Sequence, residues 1–299
     1  MDIRNKIANR QGFTLIELLV VIAVTGLLSS IIFVIVSGAG EQGRIAKGLY
    51  FSQHLHNSLG SYAAGVWSFD EGSGSTANDT SGWGNNGTLV NAPVWRCANT
   101  DINYTPSGQG CSLEFNGSTQ YVNAGNSVSL RPDIVSIEAW VKYDGSGSFA
   151  PLVSWGNGYA PAVYLKYTAG NTKPIIILNS SNYKYFNERN LWNNSWHHVV
   201  FIIVGNSQAD ISNAEMYIDG VATTGSGDSN SNSPLAKSTP FKIGQNTQGY
   251  FNGLIDEVNI YATTLTTTQI QSQYYTGLNK LLAKGQINQE EYQQKLINI

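Results

Sequence analysis

The sequence has few charged residues: Asp, Glu, Lys and Arg together make up 12% of its 299 residues, about half the usual share. The net charge of −3 includes no excess of basic residues, so we expect no basic face and no nucleic-acid partner. Glycine and small polar residues are abundant, and aromatic residues reach 11%. This composition indicates a loop-rich, mainly β protein with enough apolar residues for a packed core.

Charge is also missing from one long segment, residues 18–40, which lies between Glu17 and Glu41. As a helix it would reach roughly 30 Å or more, enough to cross the hydrocarbon core of a bilayer. Basic residues precede it, so its N-terminal end should stay in the cytoplasm. The alternative is an ordinary signal peptide cut after Ser37-Gly38-Ala39, but the run exceeds the usual apolar core of about 7–15 residues.

Glu17 is the exceptional residue, because a carboxylate inside a membrane costs about 3 kcal/mol unless it has a partner. The stretch Gly12-Phe13-Thr14-Leu15-Ile16-Glu17 resembles the processing site of type IV pilins and pseudopilins. The resemblance implies that prepilin peptidase cuts after Gly12, that Phe13 becomes a methylated N-terminus, and that Glu17 meets the free amine of a neighbouring subunit. That amine, at the positive end of the helix dipole, would supply the counter-charge.

The resemblance covers about residues 1–60 and sets the first two predicted segments. Residues 1–12 are the leader, and residues 13–64 form a long helix for membrane anchoring and assembly with copies of itself or other pilins. Apolar residues continue at helical spacing into the end of this helix, as a stripe that faces either the head or sister subunits. The stripe consists of Ile45, Leu49, Leu55, Leu59 and Tyr62.

From Gly65 onward the pattern is typical of strands. Short apolar or alternating segments are separated by clusters of Gly, Ser, Asn and Pro, which predicts a sandwich of antiparallel sheets. Asp219-Gly220 is a tight hairpin signal. The predicted strands are 66–69, 112–115, 135–141, 196–204, 214–221 and 254–261.

Seven segments carry a second resemblance: GVWSFDEGSG (65–74), NDTSGWGNNGT (78–88), SLEFNGSTQYVNAG (112–125), VSIEAWVK (135–142), SWHHVV (195–200), MYIDGV (216–221) and FNGLIDEVNIYATTLT (251–266). In this order they resemble the laminin G-like, concanavalin A-like domain of bacterial surface proteins. The resemblance implies a jelly-roll β-sandwich over residues 65–275, often with one structural calcium, and binding more than catalysis. A short C-terminal helical hairpin, residues 276–299, should dock on another part of the protein because it is too small to be stable alone.

The family resemblance assigns a calcium loop to residues 78–88. Asp79, the side chain of Asn85 and the carbonyl of Gly87 are the hard oxygen donors that calcium prefers. The alternative is that Asp79 merely forms an Asx turn.

Strand alternation adds a third ligand. Strict alternation would place Asp256 on the buried face with Leu254, Val258 and Ile260, where a carboxylate needs a partner. We therefore predict Ca²⁺ bound by Asp79, Asn85 and Asp256, with Asp70 or Glu71 as a fourth ligand. The alternative for Asp256 is a strand edge in water.

The sequence does not favour an enzyme. Glycosidases of the concanavalin A-like group use paired carboxylates, usually in an E-x-D-x-x-E pattern, and here no Glu is followed two residues later by Asp. The tandem His197-His198 lies in a strand that is apolar on both faces, so we interpret it as structural, packed or bonded to a backbone carbonyl. We predict no catalytic residue.

The tryptophans and tyrosines divide by context. Trp67, Trp140, Trp155 and Trp196 lie in apolar segments and are predicted to be core. A second set lies in loop-like contexts and contains the candidates for stacking on a sugar ring: Trp83, Tyr159, Tyr183, Tyr185 and Trp192.

The chain has two cysteines, Cys97 and Cys111, in the part expected outside the cell. Export permits oxidation, and a disulfide between them would contribute about 3 kcal/mol. Two free thiols are the alternative.

We therefore interpret the chain as a pilin-like structural subunit. Its helix would anchor it in the bacterial inner membrane as a single pass, and its head would face outward on a type IV pilus or pseudopilus and bind a carbohydrate or protein ligand. The alternatives are a pseudopilin of a type II-like secretion apparatus without an adhesive ligand, and a membrane-anchored lectin-like surface protein.

Overall fold

The strand patterns of the sequence form two antiparallel sheets in the computed structural model of the chain. It describes residues 15–16, 18–24, 59–97, 110–143, 149–155, 162–168, 171–179, 182–187, 191, 193–205, 207–228 and 240–297. The contacts divide the chain into two units, Met1–Leu49 and Tyr50–Ile299.

In the first unit, residues 15–16 and 18–24 are helical, as the apolar run predicts. Their large apolar side chains are 51 to 80% exposed. None of the helices within the described residues is both long enough and apolar enough to span a membrane. Gly12, Phe13 and Glu17 lie outside the described residues, so their roles in processing and assembly stay predictions.

The first sheet contains eight strands, numbered along the chain. They are β1 (Ala63–Trp67), β4 (Val94–Cys97), β5 (Cys111–Asn116), β7 (Ile134–Tyr143), β12 (His197–Val204), β13 (Glu215–Ile218), β14 (Val221–Thr223) and β19 (Asn252–Tyr261). Their order is β14-β13-β12-β7-β19-β5-β4, and β1 also pairs with β19. All six predicted strands lie in this sheet. The hairpin at Asp219-Gly220 is confirmed, since both residues have a positive φ, 52° and 77°.

The second sheet has nine strands in the order β15-β11-β10-β9-β8-β16-β6-β3-β2. They are β2 (Thr76–Ala77), β3 (Gly87–Val90), β6 (Tyr121–Asn123), β8 (Phe149–Trp155), β9 (Ala162–Thr168), β10 (Asn171–Asn179), β11 (Asn182–Phe186), β15 (Gly225–Asp228) and β16 (Phe241–Ile243). A small hairpin of β17 (Gln245–Asn246) and β18 (Gly249–Tyr250) follows. None of the nine was among the predicted strands.

The main core lies between the two sheets. Trp67 and Trp155 are fully buried there, and Phe241 packs against both rings at centroid distances of 5.7 and 5.1 Å. Trp140 and Trp196 are also buried, but in a separate cluster on the outer face of the first sheet. The prediction that these four tryptophans are core residues is confirmed.

Strand β19 contains a bulge at Glu257, whose φ is +49° and where the register with β7 shifts. Ile255 and Val258 both belong to the core between the sheets, whereas Leu254 packs on the outer cluster. Asp256 therefore shares a face with Leu254 and not with Val258. The expected alternation was wrong here, because one inserted residue reverses the parity of the strand.

Two C-terminal helices, α1 (Thr267–Ala283) and α2 (Gln289–Ile297), cover the outer face of the first sheet. Tyr274 stacks on Trp140 at a centroid distance of 5.9 Å. The docking is as expected, but α1 begins nine residues before the boundary predicted at 276. The reason is a capping box, in which Thr266 and Gln269 bond each other's backbone N–H groups.

The last two residues of the predicted apolar stripe, Leu59 and Tyr62, differ in burial. Leu59 is 3% exposed and packs on the outer face of the first sheet with Val200, Ile202 and Ile270. Tyr62, the next member of the stripe, is 52% exposed. The stripe therefore faces the head at Leu59 and solvent at Tyr62.

Candidate functional site

The loop between β2 and β3 is organised by the carboxylate of Asp79. Oδ1 accepts hydrogen bonds from the backbone N–H groups of Val66 and Ser81, both at 2.9 Å. Oδ2 accepts from the Ser81 hydroxyl and the Asn85 N–H, both at 2.8 Å. The bond to Ser81 N–H is an Asx turn, and the bond from Val66 N–H attaches the loop to β1. The bonds from the Ser81 hydroxyl and Asn85 N–H lie within the loop.

Asn85 is 6% exposed and fixes the other end of the loop. Its side-chain amide donates to the carbonyl of Ala64 and to Ser129 Oγ, both at 2.9 Å. Its backbone carbonyl accepts from Trp67 Nε1 at 3.0 Å. Because a carbonyl only accepts, the bond to Ala64 sets the orientation of the carboxamide.

Asp256 does not join Asp79 and Asn85. The N–H and C=O of Val66 both bond the loop, so β1 lies between the loop and β19, which carries Asp256. The two backbones are thus two strand spacings apart, about 10 Å. The Asp79 carboxylate lies in the plane of the sheet at Val66 N–H, whereas Asp256 points to the outer face with Leu254. Asp256 is fully buried and paired with Trp140, so it does not lie at a strand edge in water either.

Glu71 is the acid that lies beside the loop. Its Oε1 accepts from Asn78 N–H at 2.6 Å, and its Oε2 is buried without a hydrogen-bond partner. Asp70 instead accepts from Cys111 N–H at 3.1 Å, and burial raises the pKa of its carboxyl group. Among the described residues no three His, Cys, Asp or Glu side chains are close enough to hold a metal. Calcium would depend on Glu71, the side-chain oxygen of Asn85 and loop carbonyls, and on Asp79 if the cation replaced one of its four hydrogen bonds.

The predicted disulfide is confirmed. Cys97 and Cys111 are directly opposite each other in β4 and β5, and their sulfur atoms are bonded. The bond closes the segment between these two strands and packs near Gly72, which follows Asp70-Glu71.

The tandem histidines are buried, and His198 packs against Trp140 at a centroid distance of 5.2 Å, as the structural interpretation expected. Their hydrogen-bond partners are carboxylates instead of a backbone carbonyl. His197 Nδ1 lies 2.7 Å from Asp219 Oδ2, and His198 Nε2 lies 2.7 Å from Glu138 Oε1. Although burial alone would raise the pKa of Asp219, the charge and hydrogen bond of His197 outweigh burial and lower it. Both pairs tie strands of the first sheet together beneath the C-terminal helices.

The sequence analysis did not identify a pair of acidic residues near α1, Glu138 and Glu257. Burial raises the pKa of Glu257 to about 7, with Lys280 opposing the shift and Asp70 and Glu138 adding to it. One feature of the sequence could have indicated these buried acids: Glu138 is the single acidic residue in the apolar strand VSIEAWV. A carboxylate there needs a buried partner, and His198 on the adjacent strand is one.

The candidate stacking residues occupy different kinds of structure. Trp83 lies in the loop as expected, 64% exposed. Tyr183 and Tyr185 lie in strand β11 instead of a loop, with their rings 5.0 Å apart. Tyr159 and Trp192 lie outside the described residues.

One further aromatic group lies on the outer face of the second sheet. Val122 and Phe241 point into the core, so their neighbours Tyr121 and Lys242 point outward. The ring centroids of Tyr121 and Tyr250 are 6.4 Å apart. Lys242 Nζ lies 5.3 Å from the centroid of the Tyr121 ring. Partial burial lowers the pKa of Lys242. Two rings and a cation on a sheet face form a surface that suits a polar ligand with an apolar face.

Solved structures share this fold. Domain 4 of AbnA, an extracellular GH43 arabinanase from Geobacillus stearothermophilus in complex with arabinotriose, matches with a TM-score of 0.50 and 21% identity, over 70% of this chain and 96% of that one. A botulinum neurotoxin type C structure, described by its interaction with two ganglioside molecules, matches with a TM-score of 0.53 and 11% identity, over 74% of this chain and 52% of that one. The binding domain of botulinum neurotoxin serotype D matches with a TM-score of 0.50 and 15% identity, over 74% and 52%. This chain thus spans about half the length of the neurotoxin chains, and the similarities show the fold alone.

No curated protein matches the chain. Two family models do, and they match different parts of it. The prokaryotic N-terminal methylation motif matches residues 7–33, which confirms the resemblance to type IV pilins and implies a membrane-anchored filament protein. The laminin G model of the concanavalin A-like lectin/glucanases superfamily matches residues 116–271, slightly more than half of the chain. The chain therefore belongs to the concanavalin A-like lectin/glucanases superfamily and carries a methylation motif at its N-terminus.

Proposed function

We propose that this protein is a pilin-like structural subunit that displays its concanavalin A-like head on a type IV pilus or pseudopilus, as an adhesive binding module. The observation that carries the proposal is the fusion itself: a methylation motif at residues 7–33 and a lectin-type sandwich in one chain. Prepilin peptidase would release Phe13, the helix would leave the inner membrane for the filament, and Glu17 would pair with the amine of a neighbouring subunit.

The internal position of the acidic groups supports binding rather than catalysis. Glu138 is 4% exposed and lies under α1, where a substrate has no access without displacing the helix, and Glu257 is partly buried beside it. The two His–carboxylate pairs hold strands together, and His198 is fully buried. An exposed acid and base within reach of one substrate atom would be required for hydrolysis.

The outer face of the second sheet is the proposed ligand surface. Tyr121, Tyr250 and Lys242 form an aromatic and cationic group there, and aromatic rings pack on the apolar faces of sugar rings. Two structures of the same fold were solved with or described by glycan ligands, arabinotriose and gangliosides. We therefore place a carbohydrate first among the ligand classes and a protein second.

Calcium remains part of the proposal, with a revised ligand set. Asp79 and Glu71 both lie at the loop between β2 and β3, and the buried, unpartnered Oε2 of Glu71 has the character of a cation ligand. Asp256 is not included. A bound Ca²⁺ would fix the loop and so stabilise the head; it would supply no chemistry to a reaction.

The deciding experiment is the analysis of surface filaments sheared from cells of the native host. The chain should be present in them, and it should bind glycans when the same filaments are applied to a glycan array. Absence from filaments together with presence in a secretion complex would favour the secretion pseudopilin.

A further inference from the structure

One end of the head carries most of its exposed apolar side chains. Among the described residues from Leu59 to Ile297, six large hydrophobic side chains are at least 38% exposed, and five of them lie at the end where the chain enters the head. We call these five the entry-end patch. Its members are Tyr62 (52%), Trp83 (64%), Val128 (80%), Ile134 (38%) and Val204 (45%).

Strand pairing brings three of these residues to one end of the first sheet. Ile134 and Val204 are directly opposite each other at the ends of β7 and β12. The carbonyl of Tyr62 accepts a hydrogen bond from Ala262 N–H at 2.8 Å, next to the last residue of β19. Since β7 pairs with that same end of β19, the three exposed side chains belong to one end of the sheet.

The loop and a short turn add the remaining two members. Trp83 Nε1 donates to the carbonyl of Ala63 at 3.0 Å, which places the indole at the residue that follows Tyr62. The bond from Asn85 to Ser129 holds the turn that contains Val128 against the same loop. The sixth exposed residue, Val94, lies at the opposite end of the sheet, more than about 20 Å away along β19.

Trp83 is held in place before any partner arrives. Its ring nitrogen is bonded to Ala63, and the carboxylate of Asp79 fixes the loop on both sides of it. A side chain that is already ordered loses little conformational entropy on binding. Tryptophan is also among the residue types most enriched at the energetic centres of protein interfaces.

A small cavity lies next to Ala63, the residue whose carbonyl accepts the hydrogen bond from Trp83. Its volume is about 90 Å³, and it is lined by Gly60, Ala63, Val66, Thr80, Ser81 and Tyr261. A cavity that holds benzene has about 150 Å³, and small-molecule pockets measure about 300–1,000 Å³. The cavity is therefore the size of one aliphatic side chain, too small for a sugar ring.

We infer that the entry-end patch packs against a second copy of this chain in the filament, with Trp83 in the contact and an aliphatic side chain of the neighbouring copy in the cavity. The inference rests on the proposed function. The chain that precedes Leu59 enters at this end and contains the methylation motif, so the patch is continuous in sequence with the segment through which subunits assemble. That segment offers aliphatic side chains, 51 to 80% exposed where it is described.

The test uses the full-length protein in its native host. A photoreactive phenylalanine analogue replaces Tyr62 in one variant and Val94 in a control variant, and sheared filaments are irradiated. We expect a crosslinked dimer of this chain from position 62, at least tenfold more than from position 94. No dimer, or a crosslink from position 62 to another protein or to lipid alone, would overturn the inference.

Two further variants measure the contribution of the patch to assembly. Trp83→Ser should lower the amount in filaments at least tenfold while the amount in the membrane stays at the wild-type level, whereas Val94→Ser should assemble normally. Equal incorporation of both variants would refute the inference and leave the proposed function intact. Wild-type protein absent from filaments would reject both. If Trp83→Ser is degraded, the crosslinking at position 62 decides the question.

Discussion

His198 Nε2 lies 2.7 Å from Glu138 Oε1 on neighbouring strands, and both side chains are buried beneath α1. Removing one partner of such a pair leaves the other buried without compensation, which costs about 3–5 kcal/mol. Glu138→Ala should therefore lower the free energy of unfolding of the head by about this amount in urea denaturation. The control is Glu114→Ala, which breaks the half-exposed pair with Arg96 and should cost at most about 1 kcal/mol. Similar losses in both variants would show that the buried pair has no special role.

The stability of the head should fall as the pH rises from about 4.5 to about 7. Burial raises the pKa of Glu257 from 4.5 to about 7, so the folded state binds a proton that the unfolded state releases earlier. The contribution of Glu257 to the free energy of unfolding is fully present below pH 4.5, and it is lost as the pH rises through 7. Glu257→Gln should remove this pH dependence and stabilise the head at pH 8 by up to about 3 kcal/mol. Thermal melts at several pH values measure both effects, with exposed Glu290→Gln as the control. A variant that is less stable than wild type at pH 8 would contradict this assignment.

Calcium should raise the melting temperature of the head. For a dissociation constant near 10 μM, 1 mM calcium adds about 2.7 kcal/mol, or several degrees. Asp79→Asn should abolish the difference between calcium and chelator, while Asp256→Asn should keep it although its own melting temperature is lower. Identical melting curves of the wild type with calcium and with chelator would reject a stabilising site, and loss of the difference in Asp256→Asn would restore that residue to the ligand set.

The sequence predicted six segments of the first sheet, the hairpin at Asp219 and the disulfide because each has a local signal: an apolar strand, a turn dipeptide or a cysteine pair. It did not predict β4 or which strands share a sheet. Nor did it predict the strands β8 to β11, although β10 carries a local signal in its aliphatic run, residues 175–178. It also placed Asp256 with the wrong neighbours. The bulge at Glu257 has no local signal, since the residue that is inserted depends on the pairing of β19 with two other strands. The start of α1 was within reach, because Thr266 and Gln269 form a recognisable capping box.

In the candidate site too, residues with a local sequence signal were predicted and residues that meet only in the folded protein were not. Asp79 and Asn85 were found because a loop motif places them close together in sequence, and Trp83 was found because it lies between them. The group of Tyr121, Lys242 and Tyr250 was missed, because its members come from strands and a hairpin that are up to 129 residues apart in the chain and meet only in the folded sheet.

Ligand binding should depend on the outer face of the second sheet. Tyr121→Ala removes the ring at the centre of this surface, and stacking of one aromatic ring contributes about 1 kcal/mol or more. We expect binding to a glycan array to fall at least fivefold. Tyr275→Ala, which removes a partly exposed aromatic ring from α1, is the control for general loss of aromatic surface. Unchanged binding of Tyr121→Ala, or an equal loss in both variants, would contradict the assignment of the ligand surface to this face.

The most direct measurement of the central claim is mass spectrometry of the N-terminus of this chain in sheared surface filaments. We predict an N-terminus at Phe13, methylated, and we predict that Glu17→Ala inserts into the membrane but is depleted from filaments because the counter-charge of the neighbouring amine is lost. An N-terminus at Gly40, from ordinary signal-peptide cleavage, or normal filament incorporation of Glu17→Ala would contradict the account.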